Sequence, residues 1–152
     1  MPEIRAISQT APQTPAIGPA QPLCNSADLV ERGQARLCDV LLWGQPVRAF
    51  ALRFEGQPVA YINRCAHVPV ELDWQPGEFL DHDKRWIVCA VHGASYEPAD
   101  GRCVGGPCGR SKLMRVTVAE QAGQVSWYAS SDIRPVLPVV NPVVSPDPES
   151  LP

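Results

Sequence analysis

Residues 89–96, CAVHGASY, place a cysteine three positions before a histidine, directly after a short apolar run. A second pair, CAH at 65–67, stands in the same relation to another apolar run. One or two residues between cysteine and histidine let a single tight loop present two donors to one centre. Gly93 permits a turn that brings the backbone close to a bound group. The sequence therefore predicts a site formed by two loops, with Cys65 and His67 on one and Cys89 and His92 on the other.

Three interpretations of this Cys₂His₂ set follow from the residues alone. The four side chains are unrelated, or they form a structural zinc site, or they hold an iron–sulfur centre. Zinc accepts two cysteines and two histidines, but zinc fingers usually pair like residues along the sequence. An iron–sulfur centre in which one iron takes both cysteines and the other both histidines requires one donor of each kind from each loop. The mixed pairs meet that requirement.

Composition and charge narrow the class of protein. The chain has 152 residues, a formal charge of −3 and 45% hydrophobic residues, which suits one soluble domain and not a nucleic-acid binder. No apolar run approaches the roughly 18 residues of a membrane span, and the first residues lack the pattern of a secretory signal. We therefore expect a cytoplasmic protein without a membrane span. In a reducing compartment, cysteines grouped with histidines indicate metal binding and not a disulfide framework.

Proline divides the chain into three parts. Residues 1–22 and 131–152 are rich in proline, which predicts an extended N-terminal arm and an extended Pro/Val-rich C-terminal tail that packs on its own domain or on a partner. The middle, 23–130, predicts an all-β domain of many short strands, with 26–32 as the one hint of helix. The predicted strands are 37–43, 47–54, 58–62, 78–80, 86–89, 113–118 and 125–128, with hairpin turns at EGQ (55–57) and EQAGQ (120–124).

The two pairs resemble the Cys-x-His and Cys-x-x-His boxes of the Rieske [2Fe–2S] proteins, and we call them box one (65–67) and box two (89–92). The resemblance covers about residues 23–130. It implies a small antiparallel β barrel or sandwich, with an inserted cluster-binding lobe at about 63–110 that holds one [2Fe–2S] cluster. By resemblance, Cys65 and Cys89 hold the inner iron, and His67 and His92 hold the outer iron. GGP at 105–107 matches the loop that closes over the cluster, with Pro107 as its covering residue.

Several positions depart from the respiratory Rieske proteins. The cysteines that form a disulfide between their boxes are replaced here by Val70 and Val91. Of the serine and tyrosine that donate hydrogen bonds to their clusters, the tyrosine remains as Tyr96 and the serine is Ala94. Neighbouring Ser95 is expected to compensate in part. Fewer donors stabilise the reduced cluster less, so the predicted potential lies below that of the respiratory group.

Other residues with reactive or aromatic side chains are expected outside the site. Cys103 and Cys108 flank the Gly-Pro loop and are expected as free thiols. Segment 71–85 between the boxes is interpreted as an enlarged hairpin. The sequence further predicts a solvated loop position for His82, and packing beneath the lobe for Trp74 and Trp86. Cys24 and Cys38 are expected to be buried as small apolar residues.

A cluster saturated by four protein ligands leaves no open position for substrate, so no catalytic residue is assigned and one-electron transfer is the expected function. A Rieske oxygenase needs a second iron on two histidines and a carboxylate, and only His82 is left. The leading hypothesis is a Rieske-type ferredoxin that carries electrons from a flavin reductase to an oxygenase or another redox enzyme. The alternatives are a fixed electron-transfer subunit of a larger oxidoreductase, with the C-terminal tail as a docking strand, and a structural zinc module.

Overall fold

The computed structural model describes residues 17–136 and has ten β-strands in three antiparallel sheets. The strands are β1 (Ile17–Asn25), β2 (Arg36–Leu42), β3 (Gln45–Phe54), β4 (Gln57–Ile62), β5 (Ile87–Val88), β6 (Ser95–Tyr96), β7 (Cys103–Gly105), β8 (Thr117–Gln121), β9 (Gln124–Ala129) and β10 (Ile133–Pro135). Within this range the expected helix is reduced to a single 3-10 turn, Ser26–Asp28. No helix in residues 17–136 is long and apolar enough to cross a membrane. The predicted all-β class is confirmed.

Two sheets form the base of the molecule, with strand orders β1-β9-β8 and β10-β2-β3-β4. Both predicted hairpins are present: β3 pairs with β4 from Phe54↔Gln57 onward, and β8 pairs with β9 from Gln121↔Gln124. Each of these turns ends in a glycine, and both central residues have positive φ. Such turns match the right-handed twist of the strands that they join.

The structure differs from the prediction at both domain boundaries. Residues 17–22, assigned to the N-terminal arm, belong to β1 and pair with β9, with register shifts that accommodate Pro19 and Pro22. Proline is tolerated there because β1 is an edge strand. At the other end, Ile133 is 2% exposed and anchors β10 on β2, inside the predicted tail. The remainder of the arm and of the tail lies outside the described residues.

The segment between β4 and β8 forms the predicted lobe, whose regular structure is sparse. β5, β6 and β7 make a small sheet in that order, with two or three residues each. The predicted strand 78–80 is reduced to bridges, of which Leu80↔Ile87 joins the two sides of the enlarged hairpin. The strand predicted at 113–118 begins only at Thr117. Leu113 and Val116, which suggested that strand, are instead buried at irregular positions.

Two apolar cores lie beneath these layers. One fills the base between the two larger sheets, around Val40, Val125 and Trp127. The other joins the sheet of β3 and β4 to the lobe, where the rings of Phe50 and Phe79 stack with centroids 3.8 Å apart. This second core includes the side chains of Cys65 and Cys89. The same packing that attaches the lobe therefore also positions the predicted site.

Candidate metal centre

Box one follows β4 directly, and buried Asn63 determines its path. The Asn63 side chain accepts a hydrogen bond from the Leu72 N–H (2.8 Å) and donates one to Asp73 (3.1 Å). The Cys65 N–H donates to the Val70 carbonyl at 2.8 Å. The chain is thus folded back on itself, which leaves the Cys65 side chain buried at 4% exposure and His67 exposed.

Box two follows β5 and forms a tighter turn. The Cys89 N–H donates to the Ala94 carbonyl (2.8 Å), and the Gly93 N–H donates to the Cys89 carbonyl (2.9 Å). Gly93 has a φ of 75°, a value that favours glycine. Cys89 is 1% exposed, whereas His92 lies at the surface.

The two boxes lie side by side, with like donors paired. A hydrogen bond of 3.0 Å from the Ala90 N–H to the Leu72 carbonyl links their loops. The Cys65 and Cys89 side chains are buried in the same apolar core, and the exposed imidazoles of His67 and His92 have centroids 5.2 Å apart. In residues 17–136, no three His, Cys, Asp or Glu side chains are close enough to bind one metal ion. A pair of sulfurs inside and a pair of nitrogens outside fits a two-iron cluster, which needs two protein ligands per iron.

Hydrogen bonds favour the thiolate form of Cys65. Burial acts to raise the pKa of the Cys65 thiol, but hydrogen bonds from the Tyr96 hydroxyl and from nearby backbone N–H groups outweigh it and lower that pKa. For Cys89, burial prevails and raises the pKa. A thiolate is the form that binds a metal, so the lowered pKa favours the form of Cys65 that the predicted role requires.

Tyr96, which the sequence predicts to tune the cluster, lies against the sulfur of Cys65 in the structure. Its side chain is fully buried, and its hydroxyl oxygen lies 3.2 Å from Cys65 Sγ. The Ala66 N–H donates to the same oxygen at 3.1 Å. Because that contact uses the oxygen as acceptor, the hydroxyl hydrogen is free to point at Cys65. Burial, followed by the contact with Cys65, raises the pKa of Tyr96, so the hydroxyl stays protonated.

The other two residues expected to tune or cover the cluster are Ser95 and Pro107. The Ser95 hydroxyl donates to the Gly93 carbonyl (3.3 Å) and not to a sulfur, so it does not replace the missing serine. Pro107 is exposed, and the close approach of its loop to box two is made by Gly106. A Cβ at Gly106 would lie 2.8 Å from the Ala94 Cα, so only glycine fits there.

Cys103 and Cys108 form a disulfide, so the expectation of free thiols at these positions is wrong. Their Cα atoms are 5.8 Å apart, within the range that a disulfide spans. The turn after β7 brings them together, a proximity that their sequence separation alone does not reveal. The bridge closes the loop that contains Gly106 and Pro107, and thereby fixes it against box two.

The remaining expectations have mixed outcomes. His82 is exposed, as predicted. Trp74 is 49% exposed instead of packed beneath the lobe, and Trp86 is half-buried under the Arg85 guanidinium, 3.9 Å from its ring centre. Cys24 and Cys38 are half-buried at the edge of the base core.

Two supporting residues had not been recognised in the sequence. Asn63 shapes box one, and buried Glu97 accepts two hydrogen bonds from Arg85 across the lobe (2.8 and 3.2 Å). The available signal for Asn63 was a polar residue at the end of an apolar strand, directly before a box. Glu97 gave none, because its burial depends on the packing of the whole lobe.

Comparisons with known proteins agree with this geometry. The family model described as "Rieske [2Fe-2S] domain" matches residues 20–128. A comparison with curated proteins finds no significant match.

Solved structures that resemble the chain include three from carbazole 1,9a-dioxygenases. One is the reduced complex between oxygenase and ferredoxin (25% identity, 72% of this chain and 28% of that chain, TM-score 0.59). Another is the terminal oxygenase from Novosphingobium sp. KA1 (23% identity, 77% of this chain and 31% of that chain, TM-score 0.58). The third is the ferredoxin from Nocardioides aromaticivorans IC177 (16% identity, 73% of this chain and 98% of that chain, TM-score 0.58). The chain thus spans less than a third of the matched oxygenase chains, but nearly the whole of that ferredoxin.

The chain belongs to the Rieske [2Fe-2S] domain family, since the family model matches most of its length. Membership of this family implies one Rieske-type [2Fe–2S] cluster as the cofactor. The donor set fits this cofactor and supersedes the structural zinc module as an interpretation.

Proposed function

We propose that Cys65 and Cys89 hold the inner iron of the cluster, that His67 and His92 hold the outer iron, and that the protein is a Rieske-type ferredoxin. One observation carries this proposal: the Cys65 and Cys89 side chains are buried in one apolar core, and the exposed imidazoles that follow them, His67 and His92, have centroids 5.2 Å apart. The cluster supplies one-electron oxidation and reduction. The chain's own residues separate a buried, apolar sulfur side from an exposed histidine side.

The same arrangement gives each residue a role in electron transfer. Burial of Cys65 and Cys89 in the lobe core excludes water from the sulfurs. The Tyr96 hydroxyl and the backbone N–H of His67 donate hydrogen bonds to Cys65 Sγ (3.2 and 3.4 Å) and offset the negative charge there. His67 and His92 are at the surface, where a partner can approach within a short distance.

The partners proposed are a flavin reductase as electron donor and an oxygenase or another oxidoreductase as acceptor. Two arguments support a separate carrier without a substrate site of its own. The fold extends over 98% of a carbazole dioxygenase ferredoxin, and a cluster with four protein ligands leaves no position open for a substrate. A solved complex of an oxygenase with its ferredoxin shows that such a pairing exists in a related system. We further propose the cytoplasm as its location.

The ligand assignment is tested by removing donors one at a time, with matched controls. Cys65→Ala, His67→Ala, Cys89→Ala and His92→Ala are each expected to abolish the rhombic, low-average-g paramagnetic resonance signal of the reduced protein. His82→Ala and Cys38→Ser remove the same side-chain types away from the boxes and should retain it. Iron and sulfide contents of two each per chain are expected for the wild type. A full signal in any of the four ligand variants would contradict the assignment.

A further inference from the structure

A cleft of about 340 Å³ lies beside box one, and Cys65 is the one proposed ligand in its wall. It is lined by Trp43, Arg64, Cys65, Ala66, Lys112 and Met114, among others. The cleft thus runs from the turn between β2 and β3 to the loop that holds Cys65. A group bound there would lie next to a proposed ligand of the inner iron.

Within residues 17–136, no side chain neutralises the two cations of this cleft, Arg64 and Lys112. Arg64 and Lys112 are exposed, and neither side chain makes an ion pair or hydrogen bond within residues 17–136. By contrast, Arg48, Arg53 and Arg85 are each paired with a glutamate at 3.0 Å or less. The chain as a whole is acidic, with a formal charge of −3. An unpaired positive cleft on an acidic protein is suited to a negatively charged partner surface.

Trp43 is unusual both in exposure and in backbone conformation. Its side chain is 62% exposed, although large apolar groups gain free energy from burial. Its φ of 51°, followed by 81° at Gly44, forms a turn in which asparagine is the favoured first residue. The indole N–H donates to the Asp132 carboxylate at 3.0 Å, which fixes the ring orientation. The described residues do not bury the Trp43 ring, so the ring is available for contact with a partner.

We propose that this cleft is the docking surface for an acidic segment of a redox partner protein, with Trp43 as the apolar anchor and Arg64 and Lys112 as partners for carboxylates. Tryptophan and arginine dominate the binding energy of many protein interfaces. The inference rests on the proposed electron-carrier function and adds the place and the charge of the partner. The proposed occupant of the cleft is a partner protein and not the chain's own acidic C-terminal segment, which contains Asp147 and Glu149.

The test mixes the reduced protein with acceptors of opposite charge in a stopped-flow instrument. Plastocyanin, an acidic copper protein, and cytochrome c, a basic haem protein, serve as acceptors. In each reaction the cluster loses one electron, and one copper(II) or one haem iron(III) gains it. Lys112→Glu is expected to lower the bimolecular rate constant with plastocyanin about tenfold at low salt and to raise the one with cytochrome c.

Lys84→Glu is the matched control. The Lys84 side chain is also exposed and makes no ion pair within the described residues. Lys84 differs in its location, because its backbone carbonyl accepts a hydrogen bond from Arg32, which pairs with Glu55 at the opposite end of β4 from box one. It should change both rate constants less than twofold. If Lys84→Glu and Lys112→Glu have equal effects, the charge acts through the whole molecule and the docking surface is overturned.

Trp43→Asn separates protein docking from charge alone. Asparagine suits the turn, so the variant should keep its fold and its paramagnetic resonance signal. The rate constant with plastocyanin should fall at least threefold, while that with hexacyanoferrate(III), a small anion, should stay unchanged. An equal change for both oxidants, or for neither, would overturn the role of Trp43.

Two further results would count against the proposal in distinguishable ways. If the full-length Asp147→Asn/Glu149→Gln variant reacts with plastocyanin severalfold faster than wild type, the chain's own C-terminal segment occupies the cleft. Absence of the Rieske resonance signal in the wild-type protein would instead overturn the proposed function itself. If the rate constants do not respond to the Lys112 and Trp43 substitutions while the resonance signal is intact, only the docking surface is overturned.

Discussion

The base and the lobe of this molecule are held together by different means. In the base, β2 pairs with β3 without interruption from Arg36↔Ala51 to Leu42↔Gln45. In the lobe, β5 and β6 have two residues each, a disulfide closes the loop that follows β7, and an ion pair joins Arg85 before β5 to Glu97 after β6. A ladder distributes its stability over many equivalent bonds, whereas the lobe depends on a few specific linkages. Loss of one linkage should therefore affect the lobe more than the base.

Removal of the cluster is expected to have the largest effect. Chelation of iron should raise amide exchange at least a hundredfold in residues 63–110, because metal-binding free energy is also folding free energy for a segment with so little regular structure. The β2–β4 ladder should keep its protection. Hydrogen-exchange mass spectrometry of the holo and apo protein makes the measurement. Equal loss of protection in base and lobe would show that the two parts unfold as one unit.

Opening the disulfide should have the next largest effect. The Cys103→Ser/Cys108→Ser variant should lose about 2 kcal/mol of unfolding free energy, the value expected for a short closed loop. Cys24→Ser/Cys38→Ser is the control in the base, where the same two atoms change but no bridge exists. Denaturant titration compares the two variants. A bridge variant as stable as the control would mean that the loop is held by Gly106 packing alone.

Tyr96→Phe should change the potential of the cluster while leaving the fold intact. Loss of a hydrogen bond to Cys65 Sγ removes a contact that stabilises the more negative reduced state. We expect the potential to fall by roughly 60 mV, which is about 1.4 kcal/mol for one electron. Tyr128→Phe in β9 provides the matched control in the base, and redox titration provides the measurement. An unchanged potential in Tyr96→Phe would assign the tuning to backbone donors.

Acid should lower the stability of the base and of the lobe through one glutamate in each, and this effect should be the smallest of the four expected effects. The pKa of Glu97 in the lobe lies below its ordinary 4.5 because the hydrogen bonds from Arg85 and Ala99 outweigh its burial, and the Arg53 hydrogen bond does the same for Glu120 in the base. A depressed folded-state pKa adds stability that is complete well above pH 4.5 and is lost as pH falls below it.

Tryptophan fluorescence can follow the two parts separately during denaturation between pH 7 and pH 3 in two variants, one that keeps only Trp86 and one that keeps only Trp127 of the four tryptophans. Trp86 stacks on Arg85 in the lobe, and Trp127 is buried in the base core. Glu97→Gln should remove part of the acid dependence reported from the lobe, and Glu120→Gln part of that reported from the base. A variant that alters both signals equally would argue against independent linkages.

Some strands of the base could be predicted closely from the sequence, and others could not. Alternating apolar residues and X-Gly turns are local signals, and they located β3, β4 and β9 closely. The edge strands β1 and β10 were missed because they contain prolines and are recognisable only once a neighbouring strand is in place. The strand expected at 113–118 failed since its buried residues serve an irregular segment.

The sequence by itself determined which side chains are available to a metal centre, because each of the two boxes places a cysteine and a histidine only one or two residues apart. Tertiary structure alone decided how these donors are arranged: which pair is buried, that Tyr96 and not Ser95 reaches a sulfur, and that Cys103 and Cys108 are joined. It also decided that Trp43 lies beside Arg64 and Lys112. The physical reason is the range of the interactions. Ligand identity is local along the chain, whereas burial, hydrogen bonding and proximity depend on segments that meet only after folding.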